Sequence, residues 1–162
     1  MRWSWLVLAG AVLAMAPAGT RAAGDEAHVA RVRDLEIVHA WARASQGPDG
    51  AVYLSIHNGG QTEDRLLGGR AEIAAAVEVH GATMRDGVMT SEPLGAMPIP
   101  GGADLELEPA AVFLKLVGLR EPLLEGGHFD MVIEFERAGS AEVEVSIEAA
   151  DATEHSHAGH RH

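Results

Sequence analysis

From Asp34 onward the apolar residues of this chain recur with a period of two, and that alternation limits its fold more than any other feature. Leu35, Ile37, His39 and Trp41 fall on one face of an extended segment, as do Val52, Leu54 and Ile56. Val77 and Val79, Leu105 and Leu107, Met131, Ile133 and Phe135, then Val143, Val145 and Ile147 repeat the pattern. Successive side chains of a strand point to opposite faces, so each run buries one face only. Turn-forming clusters separate the runs: Gly47-Pro48-Asp49-Gly50, Asn58-Gly59-Gly60, Asp86-Gly87, Pro98-Ile99-Pro100-Gly101-Gly102, Gly126-Gly127 and Gly139-Ser140. About eight or nine short strands at this spacing predict an all-β, antiparallel sandwich or barrel. Only residues 70–76, where alanine is concentrated, admit a helix, and a short one.

The two ends break the pattern. Met1-Arg2-Trp3-Ser4-Trp5 is basic, residues 6–16 are apolar, and Ala16-Pro17-Ala18 or Thr20-Arg21-Ala22 offers small residues for cleavage. This is the layout of a secretory signal peptide, expected over residues 1–22, which implies a periplasmic protein. Spanning a bilayer takes about 20 apolar residues, and Pro17 and Gly19 end the run too early, so no membrane span is expected after cleavage. Residues 23–33 read as a polar, flexible leader, 34–149 as one β domain, and 150–162 as a disordered tail. That tail carries four of the nine histidines.

Composition narrows the function. The formal charge is −12, and cleavage after Ala22 removes Arg2 and Arg21 but no acid, leaving −14. A surface of that sign repels nucleic acid and anionic membranes. The chain has no cysteine, so a metal site would draw on His, Met, carboxylates or backbone groups. No G-x-S-x-G elbow surrounds Ser91, the acids are spread along strand faces, and Gly101-Gly102 lies in a Pro-rich turn. No enzyme activity is expected from such a sequence. The length suits one domain with a single core, and a monomer is expected.

Asp86-Gly87 is a strong hairpin signal, suited to a two-residue type I′ turn. Centred there, the hairpin pairs Arg85 with Val88, Met84 with Met89, Ala82 with Ser91 and His80 with Pro93. His80, Met84, Met89 and Ser91 then share one face, and His80 and Ser91 are diagonal neighbours. Met84 lies about 13 Å along the strand from His80, too far for a shared ligand shell. Met84 and Met89 oppose each other as a thioether pair, but read first as flexible apolar filler.

Several blocks, in order, resemble the PCu(A)C family of periplasmic copper chaperones. They are Ala40-Trp41-Ala42-Arg43-Ala44, residues 50–58, Glu63-Asp64-Arg65-Leu66-Leu67-Gly68, Val77-Glu78-Val79-His80 and Asp86-Gly87-Val88-Met89. Gly118-Leu119-Arg120-Glu121-Pro122-Leu123, Gly126 and Phe135-Glu136-Arg137-Ala138-Gly139 follow, so the resemblance covers about residues 35–148. It implies a cupredoxin-like, antiparallel Greek-key β-sandwich or barrel. It also implies delivery of copper to cuproenzymes such as respiratory oxidases. The family's ligand pattern, H-x10-M-x21-H-x-M, starts at His80 and then falls on Ser91, Phe113 and Lys115. A hydroxyl is a poor substitute for a soft thioether, Phe cannot ligate, and a protonated Lys repels a cation.

The metal capacity is therefore expected at His80, as a relic or partial ligand, and mainly at His155, His157, His160 and His162. Imidazoles bind Cu(II), Zn(II) and Ni(II), and histidine tracts commonly capture such ions. The function expected is an exported copper-binding chaperone, with copper as Cu(I) or Cu(II). The alternatives are a non-metal assembly module on the same scaffold, or a His-tail zinc or nickel scavenger. His39, His57 and His128 read as structural.

Overall fold

The computed structural model describes residues 29–154, and every regular element among them is a strand. In chain order these are β1 (Val29–Val32), β2 (Leu35–Arg43), β3 (Gly50–Asn58), β4 (Asp64–Arg70) and β5 (Ala74–Arg85). They continue as β6 (Val88–Pro93), β7 (Met97–Ile99), β8 (Asp104–Leu107), β9 (Val112–Leu119), β10 (His128–Phe135) and β11 (Gly139–Glu148). The seven strands β2, β11, β10, β4, β5, β9 and β3 form a closed barrel, because β3 returns to pair with β2. Strands β1, β6, β7 and β8 flank it on β2, β5, β4 and β3. All pairings are antiparallel except β11 with β2, which is parallel and brings Ser146 beside Trp41.

The inward-facing residues are those the alternation marks: Val52, Leu54 and Ile56 on β3, Val77 and Val79 on β5, Met131, Ile133 and Phe135 on β10. Strand β2 departs from the expected phase. A bulge between Val38 and Trp41, with His39 at φ 56°, inserts an extra residue. Leu35 and Ile37 therefore enter the core, while Ala40 and Ala42 replace His39 and Trp41 there. Trp41 is buried too, but against Tyr53 on the outer face, at 4.6 Å between ring centroids.

Two further expectations fail. Residues 70–76 hold no helix: a turn closes with Ala74 N–H donating to the Ala71 carbonyl, and β5 begins at Ala74. Alanine's helix propensity is overridden by pairing with β9, where Ala74 faces Leu119 and Ala76 faces Val117. In the expected leader, Val29–Val32 forms β1 and pairs with β2 through a turn with Arg33 at φ 51°. Its short V-A-R-V alternation was too brief to read as a strand.

Two features lock the barrel. The Asp64 carboxylate is buried and accepts from the backbone N–H groups of Arg65 (2.7 Å), Arg137 (2.9 Å) and Ala138 (2.8 Å). It ties the start of β4 to the β10–β11 turn. At Gly69 a Cβ would stand 2.3 Å from the Val132 carbonyl oxygen, so only glycine lets β4 approach β10 this closely.

Candidate metal site

The hairpin predicted at Asp86-Gly87 forms in the predicted register. Both turn residues have positive φ, 52° and 77°, and His80 faces Pro93, Ala82 faces Ser91 and Met84 faces Met89. The longer-range pairing of β5 with β9 then sets Phe113 directly opposite His80, and Lys115 opposite Glu78. Val77 and Val79 point inward, so Glu78 and His80 lie on the outer face, with Phe113 and Lys115 beside them. Ser91, on β6 opposite Ala82, lies on the same face, so His80, Ser91, Phe113 and Lys115 share it across three strands.

That face is a row of rings. Trp41, Tyr53, Phe113 and His80 follow one another across β2, β3, β9 and β5. Centroid separations are 4.6 Å, 6.3 Å and 6.2 Å. The Arg43 guanidinium lies 5.7 Å from the Tyr53 ring centroid, and its Nε–H donates to the Ala152 carbonyl at 2.7 Å. The last described residues are therefore pinned beside the row's far end. Burial pushes the Tyr53 hydroxyl above its ordinary pKa, and the Arg43 charge partly offsets this.

His80 is 6% exposed. Its Nε2 lies 3.0 Å from Glu78 Oε2, and its Nδ1 is buried with no hydrogen-bond partner. With the proton on Nε2 and donated to Glu78, the Nδ1 lone pair is the free one. A carboxylate fixing one imidazole nitrogen while the other is left to a metal is the usual support of a ligating histidine. Glu78 was missed from sequence, yet E-x-H on one strand face is a readable signal for it.

The other side of the face is differently equipped. Lys115 Nζ is 3.2 Å from Asp49 Oδ2, and Asp49 Oδ1 accepts from the Gly118 N–H at 3.1 Å. The Gly118 N–H first, then Lys115, hold the Asp49 carboxyl below its ordinary pKa, with a smaller contribution from His80. Phe113 has no donor atom. Among the described residues, no three His, Asp or Glu side chains come together as a metal cluster. What this face presents is the unpartnered Nδ1 of His80, with Glu78 holding the other ring nitrogen.

The remaining histidines are scattered. His57 Nδ1 pairs with Asp104 Oδ1 at 2.6 Å on the surface, His39 sits at the β2 bulge, and His128 opens β10. His155, His157, His160 and His162 lie outside the described residues. The expectation that Met84 and Met89 act as filler is overturned. They are 63% and 52% exposed and fill no gap in the core.

The seven-strand closed barrel with its flanking strands has the cupredoxin-like fold of PCuAC domains. Three solved structures share the fold. The apo PmoF2 PCuAC domain matches at 25% identity and TM-score 0.66, covering 78% of this chain and 99% of that one. The copper-bound PCuAC domain from PmoF2 matches at 23% identity and TM-score 0.65, covering 75% and 98%. The Cu(I) form of DR1885 from Deinococcus radiodurans matches at 20% identity and TM-score 0.56, covering 80% and 85%. A curated relative from Leifsonia xyli subsp. xyli (strain CTCB07), "Putative lipoprotein Lxx21020", is 24% identical over 132 residues, or 81% of this chain and 76% of that protein. The family model "Putative lipoprotein LpqE-like" matches residues 35–147, and the chain belongs to this LpqE-like family.

Proposed function

We propose that this is an exported copper-binding protein that captures the ion and hands it to a cuproenzyme such as a respiratory oxidase. In it the family's four-residue site is reduced to His80, and most metal capacity resides in His155, His157, His160 and His162. The observation that carries this reading is the face itself. His80 has a supporting carboxylate and an unpartnered Nδ1, while Ser91, Phe113 and Lys115, on which the family's ligand pattern falls, share its face and Lys115 is paired with Asp49. A copper-bound PCuAC domain and a Cu(I)-bound protein among the structural neighbours support copper as the cargo.

The tail is suited to act with that face. Its last described stretch is tethered by Arg43 at one end of the ring row, and His80 stands at the other. Eight further residues, 155–162, reach about 26 Å when extended. Steps of 5.7, 6.3 and 6.2 Å separate Arg43 from His80 along the row, so tail imidazoles can reach either end. Export rests on the signal-peptide layout and on a relative named as a lipoprotein. Within these 162 residues there is no cysteine to accept a thioether-linked lipid. Among the described residues no helix is long and apolar enough to cross a membrane. The protein acts by binding, not catalysis.

A second reading, a non-metal assembly module, is favoured by the same Lys115–Asp49 ion pair, which puts a cation where copper would sit. Copper counting separates the two. The native chain and a variant with all four tail histidines changed to Asn are titrated with Cu(II), and bound metal is measured. The proposal expects copper in the native chain and loss of most of it in the variant. No copper in either protein supports the assembly module. Preference for zinc or nickel over copper in competition supports a scavenger.

A further inference from the structure

We propose that Met84 and Met89 form a thioether pair that binds a soft monovalent cation, Cu(I) or Ag(I), at the tip of the β5–β6 hairpin. The two residues are direct cross-strand partners next to the type I′ turn. Facing side chains have Cβ atoms about 4.5–5.5 Å apart. Metal–sulfur bonds of about 2.3 Å place two ligand sulfurs up to about 4.6 Å from each other. The span of the pair therefore matches one bridging ion without movement of the backbone.

Several features keep this pair available. Pairing of β5 with β9 ends at Gly81 opposite Val112, with one further bond from Ala82 N–H to the Ala111 carbonyl. Beyond that point, among the described residues, no third strand pairs with the hairpin. Its neighbours on the methionine face are the small Ala82 and Ser91. The cation on the hairpin, Arg85, lies on the opposite face and is paired with Glu92 there. Thr83 and Thr90 hydrogen-bond on that same opposite face, at 2.9 Å, and hold the two strands in register. Asp86 in the turn adds negative charge beside the pair.

Two thioethers are soft donors that select Cu(I) among biological metals. They leave the ion under-coordinated and facing solvent, where an incoming donor from another protein can displace one sulfur after another. The site is separate from His80, about 13 Å back along β5. It also goes beyond the tail reading, since it uses no imidazole.

The test uses the full chain with the four tail histidines changed to Asn, labelled with 13C at the methionine methyls, and Ag(I) as the probe. The expected result is that the Met84 and Met89 methyl signals move together and saturate at one Ag(I) per chain, while those of buried Met131 and half-buried Met97 stay in place. Met84→Leu should weaken the Met89 response at least tenfold, and Met89→Leu the Met84 response. Leucine at these exposed positions leaves the fold intact, which the unchanged Met131 signal verifies. Independent titration of the two methyls, or no movement of either, overturns the proposal. Because the tail imidazoles are absent from this experiment, its outcome is independent of whether the tail binds copper.

Discussion

If the outer face of β5 and β9 is a reduced copper site, restoring its donors should restore tight binding. The perturbation is the triple variant Ser91→Met, Phe113→His, Lys115→Met, made in the chain whose tail histidines are Asn. The His80 and Phe113 ring centroids are 6.2 Å apart. An ion midway lies about 3.1 Å from each, which is the metal–centroid distance of an imidazole bonded at about 2.0–2.1 Å through a ring nitrogen. Residue 91 is a diagonal neighbour of His80 on β6, and residue 115 is on the same strand face as 113. Methionine side chains at both can close the shell. The metal-free variant loses part of the packing of half-buried Phe113 and a partly exposed ion pair, together about 1–2 kcal/mol. Copper at one hundred times the dissociation constant returns about 2.7 kcal/mol, or roughly 10 °C in Tm for a domain of this size. Thermal melts with and without Cu(I) under reductant read this directly, and the parent should gain less than about 2 °C at the same copper concentration. A triple variant that melts cooperatively without metal but gains nothing from copper would refute the convergence of these four positions.

Two other consequences concern the frame. Asp64→Ala strips the acceptor from three backbone N–H groups in a buried setting and should cost about 3–5 kcal/mol in urea unfolding; a loss below about 1 kcal/mol would contradict the locking role. Asp49 has a folded pKa held below its ordinary value by Gly118 and Lys115. Its carboxylate therefore stabilises the fold above about pH 4, and that contribution is lost as pH falls through the depressed value. The stability gap between the native chain and Asp49→Asn should shrink from pH 5 to pH 2, and a gap constant with pH would contradict the assignment.

The sequence made the local geometry legible and left the long-range geometry hidden. Asp86-Gly87 fixes a turn type, and the turn type fixes every pair back to His80 and Pro93, so the hairpin could be read residue by residue. The pairing of β5 with β9 joins segments more than thirty residues apart, and no local period encodes it. Counting along the family pattern stood in for that missing register, and the strands do bring His80 and Phe113 face to face. Burial was legible only where alternation ran unbroken. The bulge at His39 shifts Trp41 out of the core and into the ring row, and nothing in the run Leu35 to Trp41 announces the extra residue. Alanine at 74–76 has the wrong propensity for the strand it joins, and partner strands decided the matter. The methionines looked like filler because their type usually packs. Only the projection of the hairpin beyond β9 shows that here they do not.

The most direct test of the central claim is a Cu(I) titration against a competing chelator. It compares the native chain, the variant with His155, His157, His160 and His162 changed to Asn, and that variant with His80→Asn added. The account predicts that the native chain competes for copper, that the tail variant loses most of this capacity, and that His80→Asn removes little more. A tail variant that still holds one tightly bound Cu(I), released only when His80 is replaced, would contradict it.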